Sequence, residues 1–154
     1  MTPVLNKSLP DFEALATSGV KFTPQAFAGQ TVVLYFYPKD NTSGCTLEGE
    51  NFRDLQAKFN KHKTIILGVS RDSVKSHEGF KEKYEFNFEL LSDSDEKLCK
   101  LFDVLKLKNM YGKEVIGVER STFLIDADGV LRREWRKVKV DGHAQEVLDA
   151  VKAL

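Results

Sequence analysis

The run Val32-Val33-Leu34-Tyr35-Phe36 contains no polar position on either side, and Thr64-Ile65-Ile66-Leu67-Gly68-Val69-Ser70 repeats that character further along the chain. A strand that is apolar on both faces must be covered on both faces, which is the situation of a central strand between two helical layers. An amphipathic stretch follows each run. Leu47 to Phe59 places Phe52, Leu55 and Phe59 at spacings of three and four, the stripe of a helix lying on a sheet. Ser73 then opens a second helix, Val74 to Tyr84, with Phe80 and Tyr84 four apart.

The flanking segments extend the same plan. Leu9 to Leu15 and Gly19 to Thr23 read as two short edge strands around a turn, and Thr23-Pro24 to Ala28 as a helical turn. Phe88 to Leu91 is a short strand, after which Ser92-Asp93-Ser94-Asp95 caps a helix through Leu98, Leu101 and Phe102. Ser121 to Asp126 and Val130 to Trp135 flank Asp126-Ala127-Asp128-Gly129, a hairpin signal, and an amphipathic helix through Val147, Leu148, Val151 and Leu154 closes the chain. The resulting order, β-β-β-α-β-α-β-α-β-β-α, predicts an α/β three-layer sandwich with a mixed central sheet flanked by helices, of which the thioredoxin-like arrangement is one form. No repeat or linker interrupts residues 1–154, so one domain is expected, and a chain of this length buries roughly 68–70% of its unfolded surface without needing disulfides.

Composition narrows the function classes. Lys plus Arg and Asp plus Glu both number 23, so no net charge attracts nucleic acid or an anionic membrane. Met1-Thr2-Pro3-Val4-Leu5-Asn6-Lys7 lacks a charged segment followed by an apolar one, and no apolar run approaches the ~20 residues of a spanning helix. A cytoplasmic location is the expectation. Two cysteines, Cys45 and Cys99, make no disulfide framework and match no zinc spacing, so neither metal nor cofactor is expected. His62, His77 and His143 sit in polar surroundings without ligand spacing and read as solvated. Trp135 and the phenylalanines read as core or near-core, and the charged stretches 58–63 and 132–139 as solvated faces.

Cys45 carries the chemistry. It lies between the first apolar strand and the first amphipathic helix, so it falls in the helix's first turn. Unpaired N–H groups and the positive end of the macrodipole there favour thiolate, the nucleophilic form. The flanking Thr42, Ser43, Gly44 and Thr46 argue against an apolar pocket around an inert thiol. Thr42 is placed as the helix N-cap, and Glu48 as a carboxylate that complements the dipole.

Pro38-x-x-x-Thr42-x-x-Cys45 after a Tyr-Phe-Tyr strand, with Arg120-Ser121-Thr122-Phe123-Leu124-Ile125-Asp126 downstream, resembles the peroxiredoxins. Leu9-Pro10-Asp11-Phe12, Gly44-Cys45-Thr46, Gly68-Val69-Ser70 and Leu90-Leu91-Ser92-Asp93 extend the likeness over nearly the whole chain, with the finer match to the bacterioferritin comigratory protein subgroup, also called peroxiredoxin Q. The resemblance implies a thioredoxin-like fold and thiol-dependent reduction of hydrogen peroxide or organic hydroperoxides. Cys45 would be the peroxidatic nucleophile, passing through sulfenic acid. Thr42 would face the bound peroxide, Arg120 would favour the thiolate and donate to the departing oxygen, and Pro38 would shield the thiol from water. The N–H groups of Gly44 and Cys45 would bind the peroxide. A monomer is implied by the same analogy.

Recycling of the thiol is where the chain departs from that pattern. Many members of the subgroup carry a resolving cysteine five residues after the first, and here that position is Glu50. The remaining candidate is Cys99, which reads as a half-buried core thiol beside the stripe of its helix. A one-cysteine cycle follows as the expectation, with thioredoxin, glutaredoxin or glutathione supplying the second thiol; resolution by Cys99 is the alternative. A thioredoxin-type oxidoreductase would need Cys-x-x-Cys, and position 48 is Glu. A peroxide sensor that relays its oxidation to a partner is the reading from a different class.

Overall fold

The two apolar runs pair in parallel at the centre of a seven-stranded mixed sheet. The computed structural model describes residues 3–19 and 21–154. Its sheet strands are β1 (Ala14–Ala16), β2 (Lys21–Phe22), β3 (Thr31–Phe36), β4 (Thr64–Ser70), β5 (Glu89–Ser92), β8 (Ser121–Ile125) and β9 (Leu131–Trp135), while β6 (Leu105–Met110) and β7 (Lys113–Val118) form a separate ribbon. The spatial order is β2-β1-β5-β4-β3-β8-β9, with β3, β4 and β5 parallel and the outer pairings antiparallel. Among the described residues four α-helices accompany the strands, α1 (Ser43–Lys61), α2 (Val74–Lys83), α3 (Lys97–Leu101) and α4 (His143–Lys152).

Alternation along β3 divides the core in two. Val33 and Tyr35, with Tyr37 just beyond the strand, pack with Cys45, Phe52, Phe59, Phe80, Val147, Leu148 and Val151 on the face covered by α1, α2 and α4. Val32, Leu34 and Phe36 face the other way, onto Leu98, Cys99, Phe102, Val104, Val118 and Phe123. The three-layer arrangement is therefore the expected one, and its two layers are held by aromatic side chains, each worth roughly 1.5–3 kcal/mol when fully buried. Tyr35 stacks on Phe52 with ring centroids 4.7 Å apart.

Several elements differ from the sequence expectation. The first edge strand shrinks to Ala14–Ala16, since the Leu9 end of the segment turns to the later hairpin, where its N–H donates to the Gly129 carbonyl at 3.1 Å. Val20, inside the second expected edge strand, lies outside the described residues, as do Met1 and Thr2. The turn after Thr23 is a 3-10 turn, Pro24–Phe27. Helix α1 begins at Ser43, as the placing of Thr42 at its N-cap requires, but α4 ends at Lys152, leaving Leu154 exposed beyond it. The ribbon β6–β7 was not anticipated. Its turn is Tyr111-Gly112, with φ of +53° and +80°, a geometry usually signalled by Asn-Gly or Asp-Gly. The N-cap residue of α3 is Glu96, but its first-turn N–H groups are met by the expected acidic segment: the Asp93 carboxylate accepts from Leu98 N–H at 2.9 Å and Cys99 N–H at 2.8 Å, and Asp95 Oδ1 from Lys97 N–H at 3.3 Å. Two of the three histidines also correct the reading: His62 is exposed, but His77 and His143 are buried. Polar neighbours in sequence misled there, because each ring points inward from its helix.

Among the described residues, no helix is long and apolar enough to cross a membrane.

Helix α1 lies so close to the Phe86 ring that a Cβ at Gly49 would stand 2.8 Å from Phe86 Cε1. Alanine gains up to about 1 kcal/mol of helix propensity over glycine, but the overpacking costs about 1–3 kcal/mol. Gly49→Ala is expected to lose a net ~1–2 kcal/mol, lowering the melting temperature by roughly 2–8 °C in a thermal scan followed by circular dichroism.

Candidate active site

Cys45 sits where β3 hands over to α1. The loop 38–42 follows the end of β3, Thr42 is the N-cap in extended conformation, and Cys45 is the third residue of the helix. The first helical bond runs from Thr46 N–H to the Thr42 carbonyl at 2.9 Å. The N–H groups of Ser43, Gly44 and Cys45 therefore have no acceptor within the helix. The thiol is 2% exposed and packs among the aromatic residues of the α1 face. This corrects the expectation drawn from its polar neighbours, because Thr42 and Ser43 are exposed while the third position of the helix turns toward the sheet.

Antiparallel pairing of β3 with β8 brings in Arg120. Phe36 is opposite Ser121, so the residue preceding β8 lies beside the end of β3. Arg120 Nη2 is 3.4 Å from Cys45 Sγ, and Nη1 donates to Glu48 Oε1 at 2.6 Å. Burial works to lower the Arg120 pKa, but the negative charges of Glu48 and Cys45 outweigh it and hold the guanidinium above its ordinary value. Gly44 leaves room for this approach, since a Cβ there would lie 3.2 Å from Arg120 Nη2.

Glu48 belongs to the site more closely than its sequence position suggested. It lies three residues after Cys45, hence on the same face of α1, and it is 1% exposed. Burial pushes its carboxyl up to about 7, against the pull of Arg120. Its second oxygen, Oε2, has no hydrogen-bond partner, and neither do the buried Tyr35 hydroxyl and Thr46 Oγ1. Buried unsatisfied polar atoms are uncommon in folded proteins; Gln56 Oε1 and Trp135 Nε1 are two more among the described residues, and the Glu48 carboxyl is the one that shares Arg120 with Cys45. A carboxylate one turn after a helix-start cysteine was the available sequence signal.

The other expected site residues are placed as follows. Thr42 is the N-cap residue, but its hydroxyl does not cap the helix; it donates to the Lys39 carbonyl at 2.8 Å and tightens the loop instead. Pro38 is partly exposed at the head of the same loop. Glu50 pairs loosely with Arg53 at 3.8 Å. Cys99 is fully buried rather than half-buried, and it belongs to the opposite core layer from Cys45, with the sheet between them. Burial, then the neighbouring Asp93, raises the Cys99 thiol pKa far above the ordinary range. His143, buried behind Phe52, has its pKa lowered to about 4 chiefly by burial, and its Nε2 lies 2.7 Å from Thr122 Oγ1.

A thioredoxin-like sheet with a cysteine in the first turn of the helix after its central strand, and an arginine within reach of the sulfur, defines a class of thiol enzymes. Residues 5–134 match the AhpC/TSA family. Peroxiredoxin Bcp of Xanthomonas campestris pv. campestris is 55% identical over 143 residues, spanning 93% of this chain and 89% of that protein. A solved structure of the bacterioferritin comigratory protein from Xanthomonas campestris, described for its alkyl peroxide reduction activity, superposes with a TM-score of 0.88 at 54% identity, covering 92% of this chain and 90% of that one. A cysteine-to-serine variant of Xylella fastidiosa PrxQ gives 0.93 at 46% identity, covering 99% and 98%. The chain belongs to the AhpC/TSA family of peroxiredoxins, in the bacterioferritin comigratory protein or peroxiredoxin Q subgroup. It is a thiol-dependent peroxidase, with a peroxide as substrate and a thiol as reductant.

Proposed function

We propose that Cys45 is the peroxidatic residue of a one-cysteine cycle acting on hydrogen peroxide and organic hydroperoxides. The observation that carries this reading is the Arg120 guanidinium 3.4 Å from Cys45 Sγ, a fixed cation at the sulfur and beside the first-turn N–H groups. The thiolate attacks the terminal peroxide oxygen and the O–O bond breaks. Cys45 becomes sulfenic acid, and the departing alkoxide or hydroxide takes a proton to leave as alcohol or water. Arg120 and the N–H groups of Gly44 and Cys45 stabilise the charge that passes to the leaving oxygen. Pro38 and Thr42, on the loop that leads into α1, limit the approach of water and orient the peroxide.

An external thiol then condenses with the sulfenic acid, releasing water and leaving a mixed disulfide. A second thiol displaces Cys45 and completes the external disulfide. Thioredoxin, glutaredoxin or glutathione has the required chemistry, and a monomeric single domain suffices for it. Placement of Cys99 across the sheet favours this cycle over an internal disulfide, which needs Cα atoms within about 7 Å.

Treatment of the reduced protein with one equivalent of hydrogen peroxide, followed by intact mass and thiol counting, tests the reading. The expected product has gained one oxygen at Cys45 and keeps a free Cys99. A product that has lost two hydrogens in a Cys45–Cys99 disulfide would reject the one-cysteine cycle.

A further inference from the structure

His77 is fully buried on a helix whose other faces are charged, and neither the peroxide chemistry nor the apolar packing calls for an imidazole there. Its ring is held at both ends. Nε2 lies 2.9 Å from the Leu91 carbonyl oxygen on β5, and Nδ1 lies 2.7 Å from Asp40 Oδ2. A carbonyl oxygen only accepts, so Nε2 carries a proton. Asp40 collects further partners: the Tyr37 hydroxyl donates to Oδ1 at 2.6 Å, and the Ser76 hydroxyl to Oδ2 at 2.8 Å. The Asp40 N–H donates to Asp72 Oδ2 at 2.9 Å, and the Ser70 hydroxyl donates to the same oxygen at 2.6 Å. The Ser92 hydroxyl donates to the Asp72 carbonyl at 2.7 Å. Ligand atoms of Asp40, Asp72 and His77 lie within 4.8 Å of one another, but these protein partners already engage them. The cluster is a hydrogen-bonded clasp across the C-terminal ends of β3, β4 and β5.

What the clasp holds is the loop that leads into α1 and Cys45. From Pro38 to Ser43, Asp40 is the one buried residue; Lys39, Asn41, Thr42 and Ser43 are exposed and Pro38 is partly so. The loop therefore has a single anchor in the protein interior. Asn41 beside it takes a φ of +63°, a left-handed conformation that asparagine tolerates better than most residues. Burying an imidazole and a carboxyl together costs desolvation, and such a pair is best explained where it fixes one arrangement among several.

We propose that His77 is a positioning residue for the peroxide step. By gripping Asp40 it fixes the loop that carries Pro38 and Thr42 into the start of α1, where they meet the bound peroxide. The inference rests on the assignment of Cys45 above. A displacement of about 1 Å in such groups can cost roughly a hundredfold in rate, so slack in this loop reaches the chemistry even though His77 touches no substrate.

Two substitutions separate the two ends of the ring. The amide nitrogen of asparagine replaces Nδ1, and that of glutamine replaces Nε2. His77→Asn therefore keeps the grip on Asp40, and His77→Gln keeps only the bond to Leu91. Single-turnover oxidation of Cys45 by hydrogen peroxide, quenched and read by mass, is expected to stay within about threefold of wild type in His77→Asn and to slow about tenfold or more in His77→Gln. Alkylation of Cys45 by iodoacetamide needs no bound peroxide, and in His77→Gln it is expected to be as fast as in wild type or faster. Equal oxidation rates in the two variants, or equal slowing of oxidation and alkylation in His77→Gln, would overturn the proposal. Tyr37→Phe deletes one donor to Asp40 while leaving the histidine in place, and serves if a His77 variant does not fold. It is expected to slow oxidation about threefold without slowing alkylation; wild-type oxidation there also overturns the clasp. Wild-type Cys45 left unoxidised by peroxide would bring down the assignment of Cys45 and the clasp with it. Oxidised Cys45 with indistinguishable His77 variants brings down the clasp alone.

Discussion

Cys45→Ser is expected to reduce peroxide turnover to the uncatalysed background, while Cys99→Ser leaves it within about twofold of wild type. A serine hydroxyl keeps its proton at neutral pH and cannot hold the oxidised state that a sulfur atom reaches, so no covalent intermediate forms. The Arg120 charge beside it then has no thiolate to act on. Cys99 differs in every relevant respect. It is fully buried, its pKa is raised by burial and by Asp93, and it is part of α3, packed into the core layer on the far face of the sheet. Steady-state peroxide consumption with dithiothreitol as reductant measures both variants. Turnover surviving in Cys45→Ser would overturn the assignment of the peroxidatic residue. A large loss in Cys99→Ser, with folding intact, would point to resolution by Cys99.

Glu48→Gln is expected to change how stability depends on pH. Folded Glu48 holds its proton up to about pH 7, because burial disfavours the carboxylate, against an ordinary value of 4.5. Between those two values the folded state binds more protons than the unfolded chain, so this group's contribution to stability falls as pH rises through the window. Glutamine cannot titrate. The stability of wild type relative to Glu48→Gln should therefore drop by up to roughly 3 kcal/mol from about pH 4.5 to about pH 7, and level off on either side. Urea denaturation of both proteins at intervals across that range measures it. A difference that stays constant would mean that Arg120 outweighs burial and keeps Glu48 ionised throughout.

The same competition between burial and the Arg120 contact bears on activity. With Glu48 ionised, Arg120 shares its charge between the carboxylate and the Cys45 sulfur; with Glu48 protonated, more of that charge is free for the sulfur. Glu48 thus lies where a change in protonation alters the field at the thiol.

Local sequence was informative wherever a residue's partners are its near neighbours. The apolar runs gave β3 and β4, the spacing of Phe52, Leu55 and Phe59 gave α1, and Ser73 capped α2 as expected, accepting from Ser76 N–H at 3.1 Å. The ribbon β6–β7 escaped because Tyr111-Gly112 is a weak turn signal and Leu107 and Ile116 face outward, so no buried stripe marks the strands. His77 and His143 escaped because burial of a polar ring depends on partners such as Asp40, Leu91 and Thr122, all more than ten residues away in the chain.

By itself the sequence determined the strand-to-helix junction at Cys45, the alternation that makes an α/β sandwich, and the lack of a second thiol at position 50. These depend on residue type and short spacing, which local sterics and periodic burial translate directly into structure. Only the tertiary structure decided that Arg120 reaches both Cys45 and Glu48, that Cys99 lies across the sheet from Cys45, and that His77 holds the loop through Asp40. The register of β3 against β8, the side of the sheet that each helix covers, and the desolvation of each charged group are set by packing between distant segments.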